Sequence, residues 1–117
     1  RISPRGTWFA WVARDAGGVL NLWVQRQADV DCASAVPIQG KQVTFVDDRD
    51  ICLLFFFSLD DRYLLYLRET HHASELYHLY AIKLDDDNPW GTHRDLIHDP
   101  KLTVAVGFVG GIQIWQP

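Results

Sequence analysis

Residues 3–14 read Ser-Pro-Arg-Gly-Thr-Trp-Phe-Ala-Trp-Val-Ala-Arg, and residues 58–69 read Ser-Leu-Asp-Asp-Arg-Tyr-Leu-Leu-Tyr-Leu-Arg-Glu. Both stretches begin with a turn-forming tetrapeptide that starts with serine, and both continue into aromatic and aliphatic residues. When they are aligned 55 positions apart, aromatic residues of the first stretch match tyrosines of the second. Self-similarity at a fixed spacing is typical of repeat architectures, so the chain is predicted to contain two related units.

Two further pairs of segments extend the repeat. Asn21-Leu-Trp-Val matches His78-Leu-Tyr-Ala 57 positions later, and Gln42-Val-Thr-Phe matches Asp95-Leu-Ile-His 53 positions later. Small drifts in spacing are expected when strands stay in register and the loops between them vary in length. The segments are rich in aromatic and β-branched residues and are bounded by turn formers, which indicates strands rather than helices.

In the second unit, the sequence predicts strands near residues 51–57, 63–69, 76–84 and 94–98. The first two are apolar on successive residues, whereas a strand with one solvated face alternates apolar with polar residues. Both faces of this sheet are therefore predicted to be covered. A helix over residues 51–67 is the alternative, and the Ser-Leu-Asp-Asp interruption argues against it.

Four-stranded sheets that are covered on both faces by similar sheets are typical of β-propellers. The predicted fold is all-β, an incomplete β-propeller of about two four-stranded antiparallel blades. Residues 1–50 are predicted to form a first blade without its first strand, residues 51–100 a second blade, and residues 101–117 a tail or the start of a third blade. In the two serine turns, Gly6 supplies a positive φ without strain, and Asp61 is the mildest replacement for glycine there.

The residues of these blocks resemble the N-terminal β-propeller of prolyl oligopeptidase family serine peptidases, in particular the dipeptidyl and acylaminoacyl peptidase branch. They are similar also to TolB-like propellers, which have the same WD40-like repeat. The usual turn in these families reads Ser-Pro-Asp-Gly. Here Arg5 replaces the Asp, while Leu59 and Asp61 replace the Pro and the Gly. The resemblance covers roughly residues 2–98.

The resemblance implies a propeller that gates the access of peptides to a separate α/β-hydrolase domain, which carries a Ser-Asp-His triad. No serine of this chain lies in the Gly-x-Ser-x-Gly context of a nucleophile elbow. The chain alone is therefore predicted not to be an enzyme and to have no catalytic residues. Its expected partners are the α/β-hydrolase catalytic domain of a longer parent or a protein partner, with a peptide as substrate. A non-enzymatic, TolB-like interaction module is the alternative, and a truncated product without retained activity is a third possibility.

Composition excludes several other classes. The net charge is −4 and the basic residues are scattered, so nucleic-acid binding is not expected. The longest apolar stretch, residues 51–57, is far shorter than the roughly 20 residues of a bilayer-spanning helix, so no membrane partner is expected. The chain starts at Arg1 without a signal core, which indicates a fragment; the compartment stays open, with the cytoplasm favoured. Two blades leave apolar faces and strand edges uncovered, so the isolated chain is expected to self-associate.

Several groups of residues have the chemistry of metal or ligand sites, and each of them also has a structural explanation. His71, His72, Glu75 and His78 are residue types that suit zinc, but a solvated loop is the preferred interpretation. The run Asp85–Asn88 resembles a calcium loop without its glycine and bidentate glutamate. Cys32 and Cys52 lack any zinc-ligand spacing and are interpreted as free thiols. The aromatic residues are interpreted as blade core rather than as a stacking surface. No metal, cofactor or binding residue is predicted.

Overall fold

The computed structural model describes residues 1–27, 40–48, 50–69, 77–97, 103–106 and 112–115. In chain order the regular elements within these ranges are β1 Trp8–Arg14, β2 Leu20–Arg26, β3 Lys41–Gln42, β4 Ile51–Phe57, β5 Tyr63–Glu69, β6 Tyr77–Lys83, a 3₁₀ turn at Pro89–Thr92, β7 Arg94–Asp95, β8 Thr103–Val106 and β9 Ile112–Trp115. These ranges contain no α-helix, and the prediction of an all-β chain is confirmed. The helix considered over residues 51–67 is replaced by β4 and β5.

The strands form two antiparallel sheets. Sheet 1 has the order β1-β2-β3, and Ile2 makes an isolated bridge with Phe9 at the outer edge of β1. Sheet 2 contains β4-β5-β6 as neighbours, and β7 pairs with β6 at Tyr80 and Ala81. The β8–β9 hairpin bridges to β6 at Tyr77. Neither sheet closes on itself within the described residues.

The sequence repeat is present in the strand pairing. Trp23 of β2 lies opposite Gln42 of β3, and Tyr80 of β6 lies opposite Asp95 of β7. These are the residue pairs that the alignment matches at spacings of 57 and 53. Strands β1, β2 and β3 therefore correspond to β5, β6 and β7. Within the described residues, the counterpart of β4 in sheet 1 is the single bridge at Ile2.

The predicted strand positions agree with the structure in sheet 2. The strands predicted at 51–57 and 63–69 have those bounds, and the third is one residue shorter at each end. The fourth is shorter than predicted and comprises Arg94–Asp95. The next residue, Leu96, still donates its N–H to the Leu79 carbonyl of β6 at 2.8 Å, and the Asp95 carboxylate then accepts a hydrogen bond from the Ile97 N–H at 2.9 Å. No helix in the described ranges is long and apolar enough to cross a membrane.

The main core lies between one face of each sheet. The back face of sheet 1 comprises Trp8, Ala10, Val12, Leu22 and Val24, and the front face of sheet 2 comprises Leu64, Tyr66, Tyr80 and Ile82. These faces belong to one hydrophobic cluster, in which Leu22 and Leu64 are fully buried. Burial of each such side chain contributes about 1.5–3 kcal/mol, so the contact between the sheets is a main source of stability.

The remaining two faces point away from this core. The front face of sheet 1 comprises Phe9, Trp11, Trp23 and Gln25, and the back face of sheet 2 comprises Leu65, Leu67, Leu79 and Ala81. Through the repeat, the front face of sheet 1 corresponds to the front face of sheet 2, position by position. The two sheets thus pack in a head-to-tail manner, front against back.

Candidate functional site

The two serine turns have the same backbone structure. The Ser3 N–H donates to the Trp8 carbonyl at 2.9 Å, and the Trp8 N–H donates to the Ser3 hydroxyl oxygen at 3.0 Å. Ser58 and Tyr63 make the same two hydrogen bonds, both at 2.9 Å. The last residue of each turn has a positive φ, 76° for Gly6 and 61° for Asp61, as the sequence predicts.

Asp61 connects the second turn to the first. One oxygen of its carboxylate accepts hydrogen bonds from the Ser3 hydroxyl at 2.5 Å and from the Thr7 N–H at 3.1 Å. The other oxygen accepts from the Arg5 N–H at 3.0 Å. Asp61 is only 5% exposed, and these three donors hold its carboxylate between the two sheets. Backbone N–H groups around a residue with positive φ form an anion-binding concavity, and here a neighbouring side chain fills it.

The second turn satisfies its equivalent donors by itself. Asp60 accepts hydrogen bonds from the Ser58 hydroxyl at 2.6 Å and from the Arg62 N–H at 3.1 Å. Ser58 and Arg62 are the repeat counterparts of Ser3 and Thr7, and Asp60 is the counterpart of Arg5. The first turn has no carboxylate at its third position, and Asp61 supplies one from the neighbouring sheet. Two of the three departures from the Ser-Pro-Asp-Gly pattern, Arg5 and Asp61, therefore compensate each other.

Both turn carboxylates are stabilised in their ionised form. Burial acts to raise the pKa of Asp61, but the hydrogen bonds from Ser3, Arg5 and Thr7 outweigh it and hold this pKa below its usual value. The hydrogen bonds from the Ser58 side chain and the Arg62 N–H lower the pKa of Asp60 in the same way. The contact that Asp61 makes between the sheets is therefore strongest when its carboxylate is charged.

Further polar contacts join the sheets beside β4. The guanidinium of Arg1 donates to the Phe55 carbonyl at 2.8 Å. The Leu20 N–H donates to the Asp50 carboxylate at 2.8 Å, and the Arg14 guanidinium lies 3.9 Å from the same carboxylate. These groups are exposed, so each contributes little to stability. Together with Asp61 they place polar contacts around the apolar core.

A groove of about 580 Å³ opens between the two sheets. Its residues from sheet 1 include Trp8, Arg26 and Lys41, and the guanidinium of Arg26 lies 4.8 Å from the centre of the Trp8 ring. The opposite wall is formed by the acidic run 85–87 and Pro89. The groove therefore presents positive charge on one side and negative charge on the other.

Of the four residues whose types suit zinc, the structure describes only His78. Residues 71, 72 and 75 lie outside the described part of the chain. Its Nδ1 atom lies 2.5 Å from a carboxylate oxygen of Asp95, which joins β6 to β7. His78 is the repeat counterpart of Asn21, a fully buried residue that holds β2 to the segment after β3 through Thr44 and Val46. Both units thus use a buried polar side chain at this position to hold their outer strand.

The acidic run that resembles a calcium loop has a structural role. Asp86 accepts a hydrogen bond from the Asn88 N–H at 2.9 Å, and the Asn88 side chain caps the 3₁₀ turn, so this run forms local turns. The described residues contain no group of three or more His, Cys, Asp or Glu side chains placed to hold a metal ion. Cys32 and the Cys52 side chain lie outside the described part, which leaves the prediction of free thiols untested.

The ring contacts among the described residues fall into three groups, one of which pairs Phe9 with Trp11 on the front face of sheet 1 at 5.5 Å between ring centres. Tyr66 stacks on Tyr80 with ring centres 5.5 Å apart, and burial raises the pKa of Tyr66. This pair belongs to the core, in agreement with the interpretation of the aromatic residues as packing residues. The third group joins the sheets at the surface: Trp90 stacks on His93 at 4.1 Å and meets Phe45 edge-on at 6.1 Å. The sequence did not predict this cluster.

Sequence reasoning also missed the acceptor role of Asp61. The signal for it was present, because Arg5 removes a carboxylate from one turn and Asp61 adds one to the other.

Comparisons with protein-family models, with curated proteins and with solved structures find no match to this chain. The inter-sheet contact and the groove are therefore the features on which a functional proposal rests.

Proposed function

We propose that the chain contributes two adjacent blades to a β-propeller that gates the access of peptides to a serine-peptidase domain encoded outside these 117 residues. In this proposal the chain performs no catalysis itself. The observation that carries it is the strand-by-strand equivalence of β1-β2-β3 with β5-β6-β7, combined with front-to-back packing of the two sheets. Radial repetition of sheets that pack face to face is the construction principle of propellers.

The two serines that the structure describes, Ser3 and Ser58, support a scaffold role. The Ser3 hydroxyl donates to Asp61, and the Ser58 hydroxyl donates to Asp60. Both serines therefore serve as turn residues rather than as partners of a histidine base. A serine nucleophile needs such a base and an oxyanion hole. The peptidase part of the proposal rests on the resemblance of the serine turns and the strands that follow them.

The first test is the coding sequence on either side of these residues. An α/β-hydrolase domain with a nucleophile elbow in the same reading frame is expected, and its absence would overturn the peptidase assignment. The second test treats the purified chain with a fluorophosphonate probe, beside an active serine peptidase as a positive control. The chain is expected to stay unlabelled; stoichiometric labelling that is lost on substitution of one serine would contradict a purely gating role.

A second candidate function is a non-enzymatic interaction module of the TolB-like type. The mixed-charge groove favours it, because Arg26 and Lys41 face the acidic run 85–87 across a space large enough for a peptide side chain. The two functions differ in the reading-frame test: a propeller without a hydrolase domain supports the interaction module.

A further inference from the structure

One wall of the groove between the two sheets carries two cations and an aromatic ring. Trp8 lies opposite Arg26 in the pairing of β1 with β2, and Val24 lies opposite Lys41 in the pairing of β2 with β3. Residues that pair directly, or that lie two positions apart on one strand, share a face of the sheet. Trp8, Arg26 and Lys41 therefore share the back face of sheet 1, and all three line the groove.

The cations on this wall are not neutralised within the described part of the chain. Arg26 lies 4.8 Å from the centre of the Trp8 ring, and no carboxylate of a described residue lies within ion-pair distance of Arg26 or Lys41. Both cationic side chains are exposed. Two positive charges on neighbouring strands of one face repel each other, and an anionic group placed between them removes this repulsion.

The opposite wall of the groove has negative charge that is only partly balanced. Asp85 lies 3.6 Å from the Arg62 guanidinium and 4.0 Å from the Lys83 ammonium. Asp86 accepts a backbone hydrogen bond at 2.9 Å, and Asp87 makes no ion pair with a described residue. The run 85–87 does not pair with the cations of the facing wall. The groove therefore separates opposite charges that one ligand can bridge.

The shape of the groove suits an extended chain. Its volume of about 580 Å³ lies within the roughly 300–1,000 Å³ of ligand-binding clefts. Its lining includes apolar surface from residues that also belong to the core, namely Val24, Val43 and Leu84. Lys41 belongs to β3, the outermost strand of sheet 1 in the described part of the chain. Backbone groups at the free edge of an outer strand can pair with an extended peptide.

We propose that this groove binds an extended segment of a partner protein that carries one acidic and one basic side chain. The acidic side chain pairs with Arg26 and Lys41, the basic side chain pairs with Asp86 and Asp87, and apolar side chains between them contact the apolar lining. The inference rests on the interaction module proposed above and names the chemistry of its partner. It requires no hydrolase domain.

The test is an NMR titration of the isotope-labelled full chain with short blocked peptides. Two peptides carry opposite charges at their ends, Glu-Val-Thr-Val-Lys and its reverse Lys-Val-Thr-Val-Glu; two controls carry either two Glu or two Lys at these positions. At least one mixed-charge peptide is expected to bind about tenfold more tightly than both controls. Shift changes are expected at Trp8, Arg26, Lys41 and residues 85–87. Raising the salt concentration to about 0.5 M is expected to weaken binding, because the charges are exposed.

Charge reversal on one wall at a time tests the assignment of the two walls. Lys41→Glu is expected to shift the preference toward the peptide with two Lys, and Asp87→Lys toward the peptide with two Glu. Both side chains are exposed, so the fold is expected to persist, and the NMR spectrum verifies it. Arg94→Glu is the matched control for Lys41→Glu, because Arg94 is the exposed repeat counterpart of Lys41 on β7 and does not line the groove. Asp47→Lys serves in the same way for Asp87→Lys.

Four outcomes would overturn the proposal: no binding of any peptide, equal binding of mixed-charge and control peptides, shift changes away from the groove, or a preference that neither reversal alters. Free glutamate or lysine that binds as tightly as the peptides would also overturn it and would assign the groove to small charged molecules. None of these outcomes bears on the reading-frame test. Conversely, a hydrolase domain in the same reading frame would favour the gating role over the interaction module without changing which peptides the groove binds.

Discussion

Asp61 combines two properties that rarely occur together in one residue: a positive φ and a nearly buried, ionised side chain. The left-handed backbone costs an aspartate less than most residues, since its short polar side chain bonds locally. At Asp61 the side chain bonds across to another sheet instead. Loss of this carboxylate leaves the Ser3 hydroxyl and two backbone N–H groups without an acceptor, which is costly for groups screened from water.

Asp61→Gly is therefore expected to lower the midpoint of urea unfolding, although glycine suits the backbone conformation at this position. Arg5→Asp alone is expected to destabilise the chain too, because it places a second carboxylate beside Asp61. The double variant Arg5→Asp/Asp61→Gly lets the first turn satisfy its own donors and is expected to recover most of the loss. Additive losses in the double variant would show that the two positions do not compensate each other.

The lowered pKa of Asp61 also gives a pH dependence. An aspartate whose pKa is lower in the folded state contributes stability above its unfolded pKa of about 3.9, and this contribution is lost as the pH falls through the folded pKa. The stability difference between wild type and Asp61→Asn is therefore expected to be constant near pH 7 and to shrink below about pH 4. Urea unfolding at several pH values measures it. Asp60 also has a lowered pKa, but its turn makes no inter-sheet contact. Asp60→Asn is therefore the control for the pH dependence that a turn carboxylate gives without joining the sheets.

At the scale of strands and turns, the start of β3 depends on a glycine. A Cβ atom at Gly40 would overlap the indole ring of Trp11 on β1 and would also lie 3.3 Å from the Val24 carbonyl. The absence of a side chain at Gly40 lets Trp11 extend across β2 to the third strand. This contact holds the short outer strand of sheet 1, which pairs with β2 through only two residues.

Gly40→Ala is expected to destabilise the chain by about 1–3 kcal/mol, the usual cost of forcing extra volume into a packed site. Gly17→Ala is the matched control, because its Cβ would make only an ordinary contact, 3.4 Å from the Asp15 side chain, and a change within about 0.5 kcal/mol is expected there. Denaturant unfolding measures both. Equal effects of the two substitutions would contradict the role assigned to Trp11.

The short outer strands of both sheets are held by buried polar side chains at equivalent positions. Asn21 accepts hydrogen bonds from the Thr44 hydroxyl at 2.8 Å and the Val46 N–H at 3.0 Å, while His78 contacts Asp95 at 2.5 Å. A strand of two residues has too few ladder hydrogen bonds to stay paired by itself. Side-chain hydrogen bonds complete the attachment in each unit, and they differ in chemistry although they occupy the same place in the repeat.

At the scale of the whole molecule, the two sheets share one core, so their stabilities are expected to be coupled. Leu64→Ala is expected to cost about 2–5 kcal/mol, because the cavity lies where the front of sheet 2 meets the back of sheet 1. Hydrogen exchange is expected to accelerate in both β2 and β5. Leu59→Ala, on an exposed side chain, is expected to leave both unchanged. Faster exchange confined to β5 would show that the sheets unfold independently.

Much of the fold could be predicted because the information is local. Strands β4 and β5 follow from runs of aromatic and aliphatic residues between turn formers, and the positive φ of Gly6 and Asp61 follows from the serine turns. The equivalence of the two units followed from aligned segments alone. The candidate site was less predictable, since the groove combines residues from Trp8 to Pro89 that have no pattern in common.

The sequence by itself determined that the described residues form strands rather than helices, that β1-β2-β3 and β5-β6-β7 repeat each other and where most of these strands lie, because strand periodicity and turn chemistry act between residues close in the chain. Only the tertiary structure decided which faces pack together and that Asp61 accepts the hydrogen bonds of the turn at Ser3. The physical reason is that a buried carboxylate is stable only beside donors. Donors 54 to 58 positions away reach it only after the two sheets have packed front to back.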